Sequence, residues 1–343
     1  MNISHEIVNT RTMGEKHRIQ YIDFVKGLSI FLMVLCHSGL QNSFTQWIYS
    51  FHMPLFFIVS GFLVGDSYEP MIAYSRRKSK QLLVPYFIFA LILCFGHDSY
   101  FDWGGIIYGS RNSLNASISF TPLWFLPCFY ISTIINNAIN LITRKWIKVI
   151  IPVSIGCIGF ILSIKLPLSW GYPFSFNIAC VGVALMFLGK VIGKLLIDRV
   201  LTCGGGLLIV GTIISFFNLP QSLTIDNPHV EMSVGSFGNP LLFLIVATSI
   251  TIGLLIISKK LIRDNSQIGL IRSILWIGEN SIPVLCLHGI FIAIMSKLFF
   301  VINTPLAHDI VVLVVSIVSL LLCYPATKII LAYMPNVLGK RQA

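Results

Sequence analysis

Apolar runs of near-membrane-spanning length recur ten times along the chain, at about 21–40, 44–65, 82–97, 121–142, 147–166, 174–196, 205–220, 241–260, 274–300 and 310–333. A helix needs about 20 residues to span the hydrocarbon core, so 82–97 and 205–220 are short for the task. In lipid the backbone must close its own hydrogen bonds, which leaves helices or a closed barrel. No run alternates with period two, so all ten predict helices. Composition points the same way. Of 343 residues, 55% are hydrophobic and 11% charged, with a mean hydropathy of +0.84. A soluble domain carries about 25% charged residues, which excludes a soluble enzyme, a disordered chain and a fibre. The expected fold class is all-α integral membrane, with about ten transmembrane helices. It comprises a cytoplasmic segment 1–20, one multi-pass domain over 21–334 and a cytoplasmic tail 335–343.

The charges orient these spans. Lys and Arg number 24 against 13 Asp and Glu, a net +11. With the N-terminus inside, cytoplasmic segments hold Arg11, Lys16 and Arg18; Arg76, Arg77, Lys78 and Lys80; Arg144, Lys145 and Lys148; Lys194 and Arg199; Lys259, Lys260, Arg263 and Arg272; and Lys340 and Arg341. The opposite side holds Arg111, Lys165 and Lys297 beside the acidic Asp98, Asp102, Asp226, Glu231 and Asp309. This is the positive-inside pattern. It places both termini in the cytoplasm and removes nucleic acid as a partner. The first span carries Asp23, Lys26 and His37 and lacks a small-residue cleavage site, so it is expected to remain as a membrane helix. Eight cysteines show no CxxC pair and no Cys/His cluster. They read as small buried hydrophobes, with no disulfide framework and no metal site.

Ionisable residues inside a membrane are costly and usually face the bundle interior. At about 100° per residue, Lys26 lies about 60° and His37 about 40° from Asp23, making one polar stripe. At about 1.5 Å per residue, His37 sits roughly 16 Å deeper than Lys26. Asp23 and Lys26 are spaced to pair at the cytoplasmic edge. Lys26 is either part of a working stripe or a snorkelling cation, and His37 either lines a cavity or packs between helices. The ninth span reads Trp276-Ile277-Gly278-Glu279-Asn280-Ser281-Ile282-Pro283, with His288 beyond. Ser281 and His288 share a face, and His288 enters the membrane about as far as His37. Pro283 predicts a kink near Glu279, and Glu279 joins the same site only through that kink. In the second span, Ser60-Gly61 allows close approach of a helix or a ligand, and His52 lies near the outer end. Arg76, Arg77 and Lys80 are either a topology signal or a binding site for phosphates.

Five segments in order resemble the membrane-bound acyltransferase-3 superfamily, especially the stand-alone group related to fucose 4-O-acetylases. They are Tyr21-Ile22-Asp23-Phe24-Val25-Lys26-Gly27 with His37; Phe51-His52-Met53-Pro54 through Ser60-Gly61-Phe62; Arg76-Arg77-Lys78-Ser79-Lys80 leading to Pro85-Tyr86; Leu123-Trp124-Phe125-Leu126; and Ile277-Gly278-Glu279-Asn280-Ser281 with His288. Lys26 and His37 meet the family's spacing of a basic residue and a histidine, with Lys where many relatives carry Arg. Arg77 and Lys80 meet its Arg-x-x-Arg feature, again with one Lys. The resemblance implies transfer of an acyl group, usually acetyl, from cytosolic acyl-CoA to a hydroxyl of a membrane-associated glycan at the bacterial inner membrane. It also implies an enzyme acting alone or with separate partners.

On that basis His37 is the expected general base, and Asp23 and Lys26 order the donor end. Arg76, Arg77 and Lys80 take the phosphates of acetyl-CoA, which is a co-substrate; no bound cofactor is expected. Ser60, Gly61, His52, Trp124, Glu279, Ser281 and His288 are expected around the cavity. Outer-loop Arg111, Asp98, Asp102, Asp226 and Glu231 either contact a glycan or are simply solvated. Ten spans with intramembrane His, Asp and Lys suit a transporter or flippase of a glycan or small acid equally well, and composition alone favours it, although no two-fold repeat with paired broken spans is visible. A non-catalytic membrane subunit is the third reading.

Overall fold

The computed structural model describes residues 18–40, 43–94, 103–114, 120–195, 204–219, 229–265, 268–298 and 305–338. Arg11, Lys16, Asp98, Asp102, Arg199, Asp226, Lys340 and Arg341 lie outside them. Among the described residues the regular structure is helical, mostly α, and an isolated bridge between Glu231 and Ser236 is the one β pairing. Seven helical stretches are long and apolar enough to cross a bilayer, and one bent pair makes an eighth. The two short runs are present as helices of 11 residues, Val84–Cys94, and 12 residues, Gly204–Ser215. The first is the end of a longer helical stretch. Met71–Lys78 runs through a π-turn, Ser79–Leu83, into Val84–Cys94. Pro85 sits at the exit of that wider turn, where its missing N–H leaves the ladder one bond short.

The centre of the bundle is α1 (Gln20–His37). The short α2 (Ser43–Tyr49) links it to α3 (His52–Val64). Two glycine crossings set the packing. A Cβ on Gly27 would stand 1.9 Å from the Ile274 carbonyl oxygen, and one on Gly278 would stand 1.7 Å from that of Asp23. Backbones of α1 and of the helix Gly269–Glu279 therefore touch, as small residues permit in membranes. The same device joins α3 to the helix Phe176–Leu195, with Gly61 against the Met186 carbonyl and Gly189 against that of Ile58. Gly61 thus admits the close approach of a helix, the backbone of Met186.

The ninth span departs from the expected single kinked helix. Gly269–Glu279 and Ser281–Leu298 are separate helices, meeting at a 99° bend. Pro283 has no N–H to return to the carbonyl of Glu279, four residues earlier, and its ring crowds that oxygen. Arg18 fills the gap, donating to the Glu279 carbonyl at 3.3 Å and pairing with its carboxylate at 3.3 Å. The break therefore carries Glu279 to the end of the bundle where α1 begins, far along the fold from His288.

Six of the seven described cysteines are buried or half-buried; Cys157 is exposed on the outward flank of Ile147–Lys165. That helix buries little of its surface, as expected for one turned toward lipid.

Candidate active site

His37 is the last residue of α1, and His288 lies in the middle of the helix Ser281–Leu298. The two imidazoles stack with centroids 5.1 Å apart at 21°, and His37 Nδ1 is 2.9 Å from His288 Nε2. His288 is fully buried, and its Nδ1 lies 3.1 Å from the Val284 carbonyl. A carbonyl only accepts, so His288 Nδ1 carries the proton. Neutral His288 then has its lone pair on Nε2, and His37 Nδ1 donates to it. Neutral His37 is left with an unprotonated Nε2. The arrangement supplies a base with its reactive nitrogen specified by a buried carbonyl one residue further back.

His37 is half-buried and lines a cavity on the side of the bundle away from the start of α1. Met33, Tyr49, His52, Trp124 and Leu285 line it as well, together with Glu231 and Ser233. His52 is buried at the first turn of α3, where its Nδ1 donates to the Ile48 carbonyl at 2.9 Å. Its own carbonyl accepts from Ser29 at 2.7 Å, tying α3 to α1. Trp124 ends a 3-10 turn over Thr121–Trp124, started by Pro122. Tyr49 lies edge-on to His52, with centroids 5.0 Å apart, and tilts over His229 at 4.3 Å.

Glu231 reaches the cavity from a tight hairpin. Its N–H donates to Ser236 at 2.7 Å and its carbonyl accepts from Ser236 at 3.0 Å, with Gly235 turning the chain at φ 76°. Two buried amides anchor the hairpin. Gln46 accepts from the Val230 N–H at 2.8 Å while donating to the Ser215 and Asn218 carbonyls. Asn218 donates to Phe237 and accepts from the Asn239 N–H at 2.8 Å. An isolated buried amide is costly, so an amide with its polar atoms engaged pins the loop firmly.

The opposite, basic end holds the remaining sequence candidates. Asp23 and Lys26 pair at 2.7 Å. Arg77 makes a two-pronged pair with Glu69, at 2.6 and 3.2 Å, while Arg76 and Lys80 are exposed. Ser60 is half-buried within α3 near Gly61, and Ser281 opens the helix that carries His288 two turns later. Nearby, Lys190 is 6% exposed and bonds Asp66 at 2.6 Å and Asn140 at 2.8 Å, with Lys194 also on Asp66 at 2.5 Å. Partial burial alone would raise the Asp66 carboxyl; the two ammonium groups outweigh it and hold the pKa at about 2.

The structure thus gathers His37, His52 and Trp124 around one cavity, with His288 buried behind His37. Asp23, Lys26, Arg77 and Glu279 belong to the far end. A family model described as an acyltransferase domain matches residues 19–327. The chain belongs to the acyltransferase-3 family. Within that family it is also similar to "Nodulation protein NolL" of Sinorhizobium fredii, 31% identical over 177 residues, which is 47% of this chain and 48% of that protein. The chain thus matches about half the length of that curated relative.

One site feature of this acyltransferase-3 chain is not visible in its sequence: Tyr49 is hidden inside an apolar run that the fold breaks between α2 and α3. Glu231 stands in the sequence only as one outer-loop acid among several, because its tethers come from Gln46 and Asn218, remote in sequence.

Proposed function

We propose that the protein is a membrane O-acetyltransferase that moves an acetyl group from cytosolic acetyl-CoA to a sugar hydroxyl of a surface glycan or its lipid-linked precursor. Its setting is the inner membrane of a bacterium, with the basic end in the cytoplasm. The observation that carries this reading is His37 at the wall of a cavity, backed by its pair with buried His288, inside a chain of the acyltransferase-3 family. His37 Nε2 removes the proton from the acceptor hydroxyl as its oxygen attacks the thioester carbonyl carbon. The tetrahedral intermediate collapses with cleavage of the carbon–sulfur bond. Coenzyme A leaves as the thiol after the imidazolium returns the proton, and the acetyl ester remains on the sugar. The imidazolium keeps its Nδ1–H bond to neutral His288 throughout.

Eleven residues of helix separate Lys26 from His37, about 16 Å, so Asp23 and Lys26 act on the path of the donor and not on the acyl carbon. Arg76 and Lys80 meet the donor phosphates at the cytoplasmic surface, with Arg77 joining them on release from Glu69. The pantetheine arm then spans the distance inward.

Mass spectrometry of surface glycans tests the reading in three strains: wild type, a deletion, and the deletion complemented with His37→Ala. Loss of one acetyl increment per repeat in the latter two, at normal protein levels, is the expected result. Retained acetylation with His37→Ala overturns the assignment of the base.

A further inference from the structure

We infer that Glu231 is the carboxylate that binds a second hydroxyl of the acceptor sugar, making the outer cavity a subsite for a neutral sugar. The assignment rests on the acyl-transfer reading of His37. Glu231 and His37 line the same cavity, and both are half-buried. A sugar whose reacting hydroxyl meets His37 therefore offers a neighbouring hydroxyl to Glu231. A carboxylate is an acceptor only, with room for several donors, and sugar hydroxyls are donors presented at fixed angles.

The surroundings of Glu231 set its orientation and its preference. The hydroxyl of Ser233 bonds Oε1, and Arg111 Nε stands 4.0 Å from the same oxygen. The other oxygen, Oε2, faces His229 Nε2 at 3.8 Å. Arg111 offsets the charge of the carboxylate, and among the described residues that line the cavity there is no Lys or Arg. An anionic sugar would meet the Glu231 carboxylate head-on. A neutral one meets hydrogen-bond acceptors and the ring faces of Tyr49 and Trp124, which suit the C–H faces of a pyranose. The hairpin is held by Gln46 and Asn218, so the acceptor edge is in place before the sugar arrives.

The test uses purified full-length protein in detergent, with acetyl-CoA as donor and methyl glucoside, galactoside, mannoside and glucuronide as acceptors. Product ester and released thiol are both measured. Wild type is expected to acetylate a neutral pyranoside and to discriminate against the glucuronide. Glu231→Gln, of the same shape, raises the KM for that pyranoside about tenfold and lessens discrimination against the glucuronide, with the KM for acetyl-CoA unchanged. Glu231→Asp recovers part of the loss. An unchanged acceptor KM in Glu231→Gln overturns the inference while leaving the acyl-transfer reading intact. If acetyl-CoA stabilises the protein thermally but no neutral pyranoside is acetylated, or the glucuronide is preferred, the neutral-sugar subsite is refuted. Neither stabilisation by acetyl-CoA nor any transfer instead sinks the acyl-transfer reading itself.

Discussion

His37 Nδ1 lies 2.9 Å from His288 Nε2, and the other nitrogen of His288 is already committed to the Val284 carbonyl at 3.1 Å. One buried carbonyl therefore dictates the protonation of two rings in turn, ending with a lone pair on His37 Nε2. The two residues come from sequence positions 251 apart, so the pair exists only in the folded bundle.

That relay predicts an order among His288 variants. His288→Gln places an amide oxygen near the position of Nε2, still accepts from His37, and keeps most of the activity. His288→Phe fills the space without accepting and lowers kcat by about a hundredfold. His288→Lys donates toward His37 Nδ1, forces its proton onto Nε2, and falls to the level of His37→Ala. Steady-state kinetics with the KM for acetyl-CoA followed separately check the series. Equal kcat values for the Gln and Phe variants would show that His288 merely fills space.

The glycine contact between the first and ninth sequence spans predicts a sharp structural asymmetry. A Cβ at Gly278 would stand 1.7 Å from the Asp23 carbonyl oxygen, whereas one at Gly269, in the same helix, meets nothing within 4 Å. Gly278→Ala must push the two helices apart and costs about 3 kcal/mol or more, at or beyond the upper end for overpacked cores. Gly269→Ala is neutral. Thermal unfolding in detergent reads the difference, and an equal Tm for both variants contradicts the crossing.

The polar stripe of α1 was legible because helical periodicity is a local property, and Asp23, Lys26 and His37 obey it. The same arithmetic put His288 at the depth of His37. The break at Asn280 was only half legible. Pro283 announced a disturbance, but the outcome depended on Arg18, 261 residues away, taking the freed Glu279 carbonyl. Glu231 could not be singled out from Asp98, Asp102 or Asp226, because what distinguishes it is the pair of amides holding its hairpin. Glycines 27 and 278 stood in recognisable segments, yet their reason, backbone against backbone, is a tertiary fact.

Asp66 gives a pH prediction. Its pKa is about 2 in the folded protein against an ordinary 3.8, so its contribution to stability is complete above 3.8 and is lost as the pH falls toward 2. Asp66→Asn removes that acid-sensitive component and lowers stability at neutral pH, because buried Lys190 loses its counter-charge. Adding Lys190→Met to Asp66→Asn restores part of the loss. Thermal melts from pH 7 down to the acid limit of the detergent check both signs, and additive effects of the two substitutions would argue against the pair.

The last prediction concerns how the donor is captured. Arg77 is held by both oxygens of Glu69, at 2.6 and 3.2 Å, a geometry that matches a phosphate as well as a carboxylate. On the proposed reading, coenzyme phosphates that bind Arg77 compete with Glu69, and the pair sets the strength of capture. Glu69→Gln removes the competitor and a negative charge together, so the KM for acetyl-CoA falls about threefold at low salt, and the gain shrinks as salt rises. Arg77→Gln raises the same KM, and the double variant resembles Arg77→Gln alone. The acceptor KM stays unchanged in all three. A Glu69→Gln protein that binds acetyl-CoA no better than wild type at low salt would place the phosphates on Arg76 and Lys80 without Arg77.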